Sequence, residues 1–207
     1  MTDSSADIDA AAGAPGAAEE DERVDQRLVA AARDGDERAL ELLLRRHEAP
    51  VLRLVRLLGV GPADREDVGQ EIFVRLFRHL DGFKLGRSFR GWLYRITVNA
   101  VHDHRHRMTR RASRESPWNE RVEETPDAAD GPPELVEAQE SRRMLEEALD
   151  GLSARERAVF VLVEMQGLER RAAARALGIT AITVRRHLSR ARASLRRILE
   201  EKSRETS

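Results

Sequence analysis

The order of residues predicts an all-α chain of two small helical domains joined by a flexible linker, the second domain containing a helix-turn-helix. Three observations carry that reading. Charged residues make up 35% of the 207 positions and aromatics only 4%, a balance suited to small helical units with thin cores rather than to sheets, whose strands favour aromatic and β-branched side chains. Apolar residues recur at helical spacing in two blocks, 24–111 and 134–200. Between them, residues 112–133 have no periodicity and hold Pro117, Pro126, Pro132, Pro133, Gly131 and a cluster of acids, the composition of a linker.

Taken in order, residues 1–23 are Ala, Gly, Asp and Glu with almost nothing to bury, and are expected to form a disordered acidic tail. A short helix around Val24, Leu28 and Ala32 should end at Gly35, after which Asp36 can cap a longer segment. That segment spaces Leu40, Leu43, Leu44, Val51, Leu54, Val55 and Leu58 helically, and Pro50 should kink it or split it in two. The run Gly59-Val60-Gly61-Pro62 breaks the chain. From Asp64 a third helix carries Val68, Ile72, Leu76 and Leu80 on one stripe with Phe73 and Phe77 beside it, ending at Asp81-Gly82. A fourth begins near Ser88 and turns Phe89, Trp92, Leu93, Ile96 and Val101 inward. Together these make a first domain, 24–111. Helices resume at Glu134 and at Ser153, where Ser153-Ala154-Arg155-Glu156 reads as a capping box. The second domain runs over 134–200, and 201–207 is a short disordered tail.

The formal net charge of -1 conceals strong local asymmetry. Residues 1–26 set eight acids against Arg23 alone, a segment that should repel DNA. Residues 82–115 set nine cations against Asp103 and Glu115, and 153–199 set eleven arginines against Glu156, Glu164 and Glu169. Two basic blocks suggest two places where a polyanion is held.

Several function classes recede on the same evidence. With no cysteine there is no disulfide framework, thiolate nucleophile or cysteine-ligated zinc. The start of the chain lacks a secretory signature and no apolar run approaches the length of a membrane span, so a soluble, cytoplasmic protein without membrane insertion is expected. No P-loop, zinc-protease helix, nucleophile elbow or glycine-rich dinucleotide turn is present, so neither enzymatic activity nor a cofactor is expected. His102 and His106 share a helix face at a spacing that can bind a metal, but no third ligand is evident and the basic neighbours would repel a cation; a DNA-facing role is the better reading.

In the second domain Ala174, Gly178 and Val184 have helix-turn-helix spacing: a small residue where two helices approach, a glycine for the left-handed turn, and an aliphatic locking the second helix. Thr180 can cap that helix. Val184, Leu188, Ala191 and Leu195 repeat on its inner face, which turns Thr183, Arg185, Arg186, Ser189, Arg190 and Arg192 outward. Arginines there can reach guanine edges or grip phosphate; the competing reading is a solvated face of an ordinary helical hairpin. Arg170 and Arg171 on the preceding helix are better placed for phosphates.

The run Asp64-Arg65-Glu66-Asp67-Val68-Gly69-Gln70-Glu71-Ile72-Phe73, then Phe83 to Phe89, then Trp92-Leu93-Tyr94-Arg95-Ile96-Thr97-Val98-Asn99, resembles the extracytoplasmic-function sigma factors, the small promoter-recognition subunits of bacterial RNA polymerase. With the helix-turn-helix in its expected place, the likeness covers about residues 24–199. The resemblance implies that Asp67, Gln70, Glu71 and Phe73 dock on the largest subunits of core polymerase, with Arg75 and Arg78 nearby. It further implies that the loop 83–89 captures a flipped base of the −10 element and that the following helix reads DNA. The residues indicated for this are Lys84, Arg87, Ser88, Arg90, Asn99, His102 and Arg105, with Asn99 able to pair bidentately with a base edge. The −35 contact falls to Arg170, Arg171, Thr180, Thr183, Arg185, Arg186, Ser189 and Arg190. Trp118 in the linker would either pack locally or dock on the polymerase. The implied partners are core RNA polymerase, promoter DNA and an anti-sigma factor.

The chain departs from the family pattern in three places. Gly69 stands where a bulky aliphatic is usual, and a mid-helix glycine costs about 1 kcal/mol against alanine, so the docking helix should be weakened or reshaped. Residues 169–173 replace a common Ser-Tyr-x-Glu-Ile stretch, and Ile182 replaces a small residue. The rival readings are a stand-alone helix-turn-helix regulator, an enzyme with an unrecognised site, and a sigma-like chain that has lost activity.

Overall fold

A computed structural model describes residues 15–112 and 143–205. The first module is built from α1 (Pro15–Arg33), α2 (Glu37–Leu57), α3 (Pro62–His79), a single 3-10 turn (Leu80–Gly82) and α4 (Phe89–Ala112). The second contains α5 (143–150), α6 (Ala154–Phe160), a π-helical turn (Val161–Met165), α7 (Arg170–Leu177) and α8 (Ala181–Glu205). Among the described residues there is no strand. The linker reading, including Trp118, and the helix start at Glu134 lie outside the described residues.

Helix α1 starts at Pro15, well before Val24, so the expectation of a disordered tail over 1–23 fails from Pro15 onward; residues 1–14 lie outside the described residues. Composition alone disfavoured order here, but the acids find distant partners. Arg46 bonds Asp21 and, at 3.0 Å, the buried Asp25. Asp25 also lies 3.0 Å from the buried His47 ring, a contact without hydrogen-bond alignment.

Asp36 caps α2, accepting from the backbone N–H groups of Arg38 and Ala39 at 2.9 and 3.1 Å. Pro50 does not split α2, which runs as one helix through it. The proline sits on the exposed side, while His47, Val51 and Leu54 on either side of it are buried and hold both halves against the core. The predicted stripe Val68, Ile72 and Leu76 of α3, continued by Leu80 of the 3-10 turn, is buried. Gly69 is buried as well, and a Cβ there would lie 2.8 Å from Leu52 Cδ2. The glycine marks the close approach of α2 and α3, a packing reason for its cost. Phe83, Phe89 and Trp92 form an aromatic cluster with centroids 5.2–5.6 Å apart, completed by His47 at 5.1 Å from Phe89.

In the second module Ser153 and Glu156 form the predicted capping box. The π turn lets the Gln166 N–H reach the Val161 carbonyl at 2.9 Å before Gly167, at φ +66, redirects the chain. Gly178 adopts φ +63, ending α7 in the left-handed conformation the motif demands. Val184, Leu188, Ala191 and Leu195 are buried, and α8 continues to Glu205, past the boundary expected at 200.

The modules touch. Helix α7, with small residues Ala172, Ala173, Ala174 and Ala176, packs on α4. Tyr94 donates its hydroxyl to Gln166 Oε1 at 2.7 Å, and Arg56 pairs with Glu146 at 3.1 Å. Arg157, only 6% exposed, donates Nε to the Leu57 carbonyl at 2.6 Å and bonds Asp150.

Candidate functional site

Three surfaces gather the residues singled out from the sequence. On the outward face of α3, Asp67 and Gln70 are exposed. Glu71 is half-turned away, because its carboxylate accepts from Arg75 Nε at 2.7 Å, and Arg75 reaches on to Asp103 of α4 at 2.7 Å. Burial works against the Arg75 charge, but its bonds to Glu71 and Asp103 outweigh it and hold the guanidinium above its ordinary value. Phe73 leans into the core, whereas Phe77 is 62% exposed and Val74 44%. Phe77 is thus the larger apolar contact on this face, missed because its place beside the buried stripe suggested the core. Its i+7 spacing from Gln70 was the available signal.

The second surface is the groove between the 83–89 loop and α4. Lys84, Arg87, Ser88 and Asn99 are exposed along it, whereas Arg90, also exposed, does not line it and reaches the Gln166 carbonyl at 3.4 Å. One stretch of about 620 Å³ lies over Lys84, Arg87, Ser88 and Trp92; an adjoining one of about 670 Å³ lies over Arg78, Trp92, Arg95 and Asn99. Arg175 and Ala176 of α7 line both, so the second module supplies the far wall. The guanidinium of Arg90 stands 6.0 Å from the Tyr94 ring centre. Burial raises the Tyr94 phenol above its ordinary value, against the opposing charges of Arg90 and Arg53.

His102 and Arg105 do not join this groove. Both line an apolar cleft of about 270 Å³ with Val98, Val101, Ala154 and Ala158, where α4 meets α6. Arg105 donates to the Leu58 carbonyl, capping the end of α2. Burial, then the nearby Arg157 charge, lowers its affinity for a proton, with Asp150 opposing. Both guanidinium groups crowd Gly59, at φ +84, where a Cβ would meet them at 2.8–2.9 Å. A pattern of exposed cations could not reveal that this arginine serves a carbonyl 47 residues away. His102 and His106 meet edge to face with Nε2 atoms 3.1 Å apart. Among the described residues no group of three or more His, Cys, Asp or Glu side chains is placed to hold a metal.

The third surface is the outer face of the helix-turn-helix. Thr180 Oγ1 accepts from the Thr183 N–H at 3.1 Å and meets the Thr183 hydroxyl at 2.8 Å, so both threonines are engaged in capping α8. Arg170, Arg171, Arg185, Arg186, Ser189 and Arg190 are exposed. A groove of about 370 Å³ runs beside Arg170, Arg185, Ser189, Arg192 and Arg196. Arg196 extends the Arg185-Ser189-Arg192 stripe by one helical step and was legible from the same spacing. Arg192 is restrained by Glu164 at 2.7 Å. Ile182, in the first turn of α8, is 72% exposed.

Comparison with known proteins agrees with this architecture. The Sigma-70 region 2 family matches residues 43–111 and the Sigma-70, region 4 family matches residues 142–195. RNA polymerase sigma factor NccH of Alcaligenes xylosoxydans xylosoxydans is 32% identical over 181 residues, covering 87% of this chain and 97% of the relative. ECF RNA polymerase sigma factor SigM of Mycobacterium tuberculosis is 34% identical over 178 residues, covering 86% of each chain. The structure of CnrH in complex with the cytosolic domain of CnrY superposes with a TM-score of 0.64 at 28% identity, covering 86% of this chain and 98% of CnrH. A second structure, the sigma factor RpoE of Bartonella quintana with the anti-sigma factor NepR, shares the fold at a TM-score of 0.60 and 22% identity, over 75% of this chain and 96% of RpoE. Two helical modules in family order, each matched along most of its length by relatives this similar, place the chain in one family: it belongs to the extracytoplasmic-function RNA polymerase sigma factors.

Proposed function

We infer that the chain acts as an alternative sigma factor whose three surfaces divide the work of transcription initiation. The outward face of α3 docks on the largest subunits of core polymerase, the groove over the 83–89 loop and α4 takes the −10 strand, and the outer face of α7 and α8 takes the −35 duplex. The observation that carries this reading is the α3 face: Asp67, Gln70, Val74 and Phe77 are exposed along one side of a helix whose other side is core. A mixed polar and apolar stripe of this kind suits a charged helical partner. The neighbouring basic groove then lies next to the docked enzyme.

Promoter engagement requires α7 to move off α4, because Arg175 and Ala176 wall the groove that Asn99 and Lys84 line. The work is recruitment and melting rather than bond chemistry, done where polymerase is, in the cytoplasm. An anti-sigma factor is the third partner we propose, since the structure of the similar CnrH holds the cytosolic domain of CnrY.

The test is co-elution with bacterial core RNA polymerase on size exclusion, with Gln70→Ala/Phe77→Ala run alongside. Co-elution of the native chain and its loss in a folded double variant supports the reading. No association by the native chain, together with tight specific binding to duplex DNA alone, would replace it with a stand-alone regulator.

A further inference from the structure

Glu22, Gln26, Val29 and Arg33 fall at helical spacing on one side of α1, and together they face the segment between α3 and α4. Val29 is completely buried and fixes the stripe in the core. The three polar members bind that segment through its backbone. Arg33 donates to the Leu80 carbonyl at 2.5 and 3.0 Å, to Asp81 O at 2.8 Å, and to Phe83 O. Gln26 accepts from the Gly86 N–H at 2.9 Å and donates to the Arg87 carbonyl at 2.5 Å. Glu22 accepts from the Phe89 N–H at 2.5 Å and from the Ser88 hydroxyl at 3.1 Å. Its carboxylate thereby fills the electropositive start of α4 from within the molecule.

The loop's polar backbone is turned toward α1, and its long side chains are turned out. Lys84 and Arg87 are exposed, and so is Leu85 at 51%. A loop tip with Gly86 at φ +82 and no hydrophobic anchor of its own between Phe83 and Phe89 would otherwise sample many conformations.

We propose that Glu22, Gln26 and Arg33 are positioning residues for promoter reading: they preset the 83–89 backbone so that one unstacked base of the −10 strand is received without reorganisation. This rests on the assignment of that loop to the −10 element. Extruding a base already costs a few kcal/mol of stacking, so ordering the loop in the same step would subtract directly from recognition. The stripe performs that ordering beforehand.

The experiment uses holoenzyme assembled from the full chain and core polymerase. Its probe is a single-stranded DNA selected from a randomised pool by the native holoenzyme, together with the three alternative bases at each position. Gln26→Ala should lower discrimination at one position about tenfold, as expected for two lost hydrogen bonds, while core co-elution and the thermal midpoint stay near native. Glu22→Gln keeps an acceptor for the Phe89 N–H but not for the Ser88 hydroxyl, and should lose discrimination only in part. Gln26→Met, close in size, loses the donors to Arg87 O and Glu22 and the acceptor for the Gly86 N–H, and should fall as far as the alanine variant, which covers the case in which the alanine variant does not fold. Unchanged discrimination in folded Gln26 variants, or equal weakening for all four bases, overturns the proposal. If Lys84→Ala/Arg87→Ala leaves discrimination at every position intact, the assignment of the loop fails instead.

Discussion

The two modules handle charge in opposite ways. In the first, several cations and acids are tied into the fold: Arg33 to three carbonyls, Arg46 to Asp21 and Asp25, Arg75 to Glu71 and Asp103, Arg105 to Leu58 O. In the second, Arg170, Arg171, Arg185, Arg186 and Arg190 stand exposed on one face. Arg192, held by Glu164, and Arg157, buried against Leu57 of the other module, depart from this. On the proposed division of labour, a module that melts DNA must hold a loop and a groove in shape, and these charges serve that shape. A module that grips a duplex needs its cations free to displace counterions.

Arg157 should give the largest effect, because it is the second module's buried charge and behaves like those of the first. Arg157→Met removes charge-assisted bonds to Leu57 O and Asp150, and should destabilise the packed chain by about 2 kcal/mol in denaturant unfolding, with an increased radius of gyration in solution scattering. An unchanged midpoint and radius would mean the modules do not rely on this contact. Next comes Arg190→Ala, which should cost about tenfold in affinity of holoenzyme for duplex promoter and lower the slope of log affinity against log salt by about 1. Thermal stability should stay within about 0.5 kcal/mol of native. If stability falls instead, the contrast between the modules is wrong.

Arg75→Ala tests the other side, with an expected loss of about 1 kcal/mol in stability and a reduced fraction of core polymerase bound through displacement of Glu71. Equal stability would place Arg75 with the free cations. The smallest effect concerns pH. The Tyr94 phenol is raised above 10.0 by burial, so the folded chain holds its proton over a window in which the unfolded chain releases it. That contribution is complete below the unfolded value and is lost as pH rises through the folded one. Alkaline unfolding curves above pH 10 should therefore be flatter for Tyr94→Phe than for the native chain.

Much of the fold was legible because helical periodicity is a local property. The stripe Val68, Ile72, Leu76, Leu80 and the inner face of α8 could be read from spacing alone, as could the glycine that turns the helix-turn-helix. The outer arginines of α8 followed from the same phase. What escaped depended on partners distant in sequence. Residues 15–23 looked unstructured because their acids had no visible partner, and Arg46 lies 25 residues from Asp21. Arg105 looked like a DNA contact because nothing nearby in sequence marks the Leu58 carbonyl as needing a cap. Gly69 read as a weakness until Leu52 filled the space where its side chain would be.

The stripe on α1 also bears on the order in which the molecule is completed. Its bonds to Gly86, Ser88 and Phe89 join residues 60, 66 and 67 apart in sequence, so they close only after α2 and α3 have folded between them. Contacts of such separation form late, since the chain entropy of closing the intervening loop must first be overcome. During synthesis α1 precedes α2, whose Arg46 can pair with Asp21 and Asp25 early, but the stripe waits for almost the entire first module before it has a loop to hold. On the proposed roles, a chain interrupted before the 83–89 loop would carry its polymerase-docking helix but no promoter loop for the stripe to set, so competence to bind the enzyme would precede competence to open DNA.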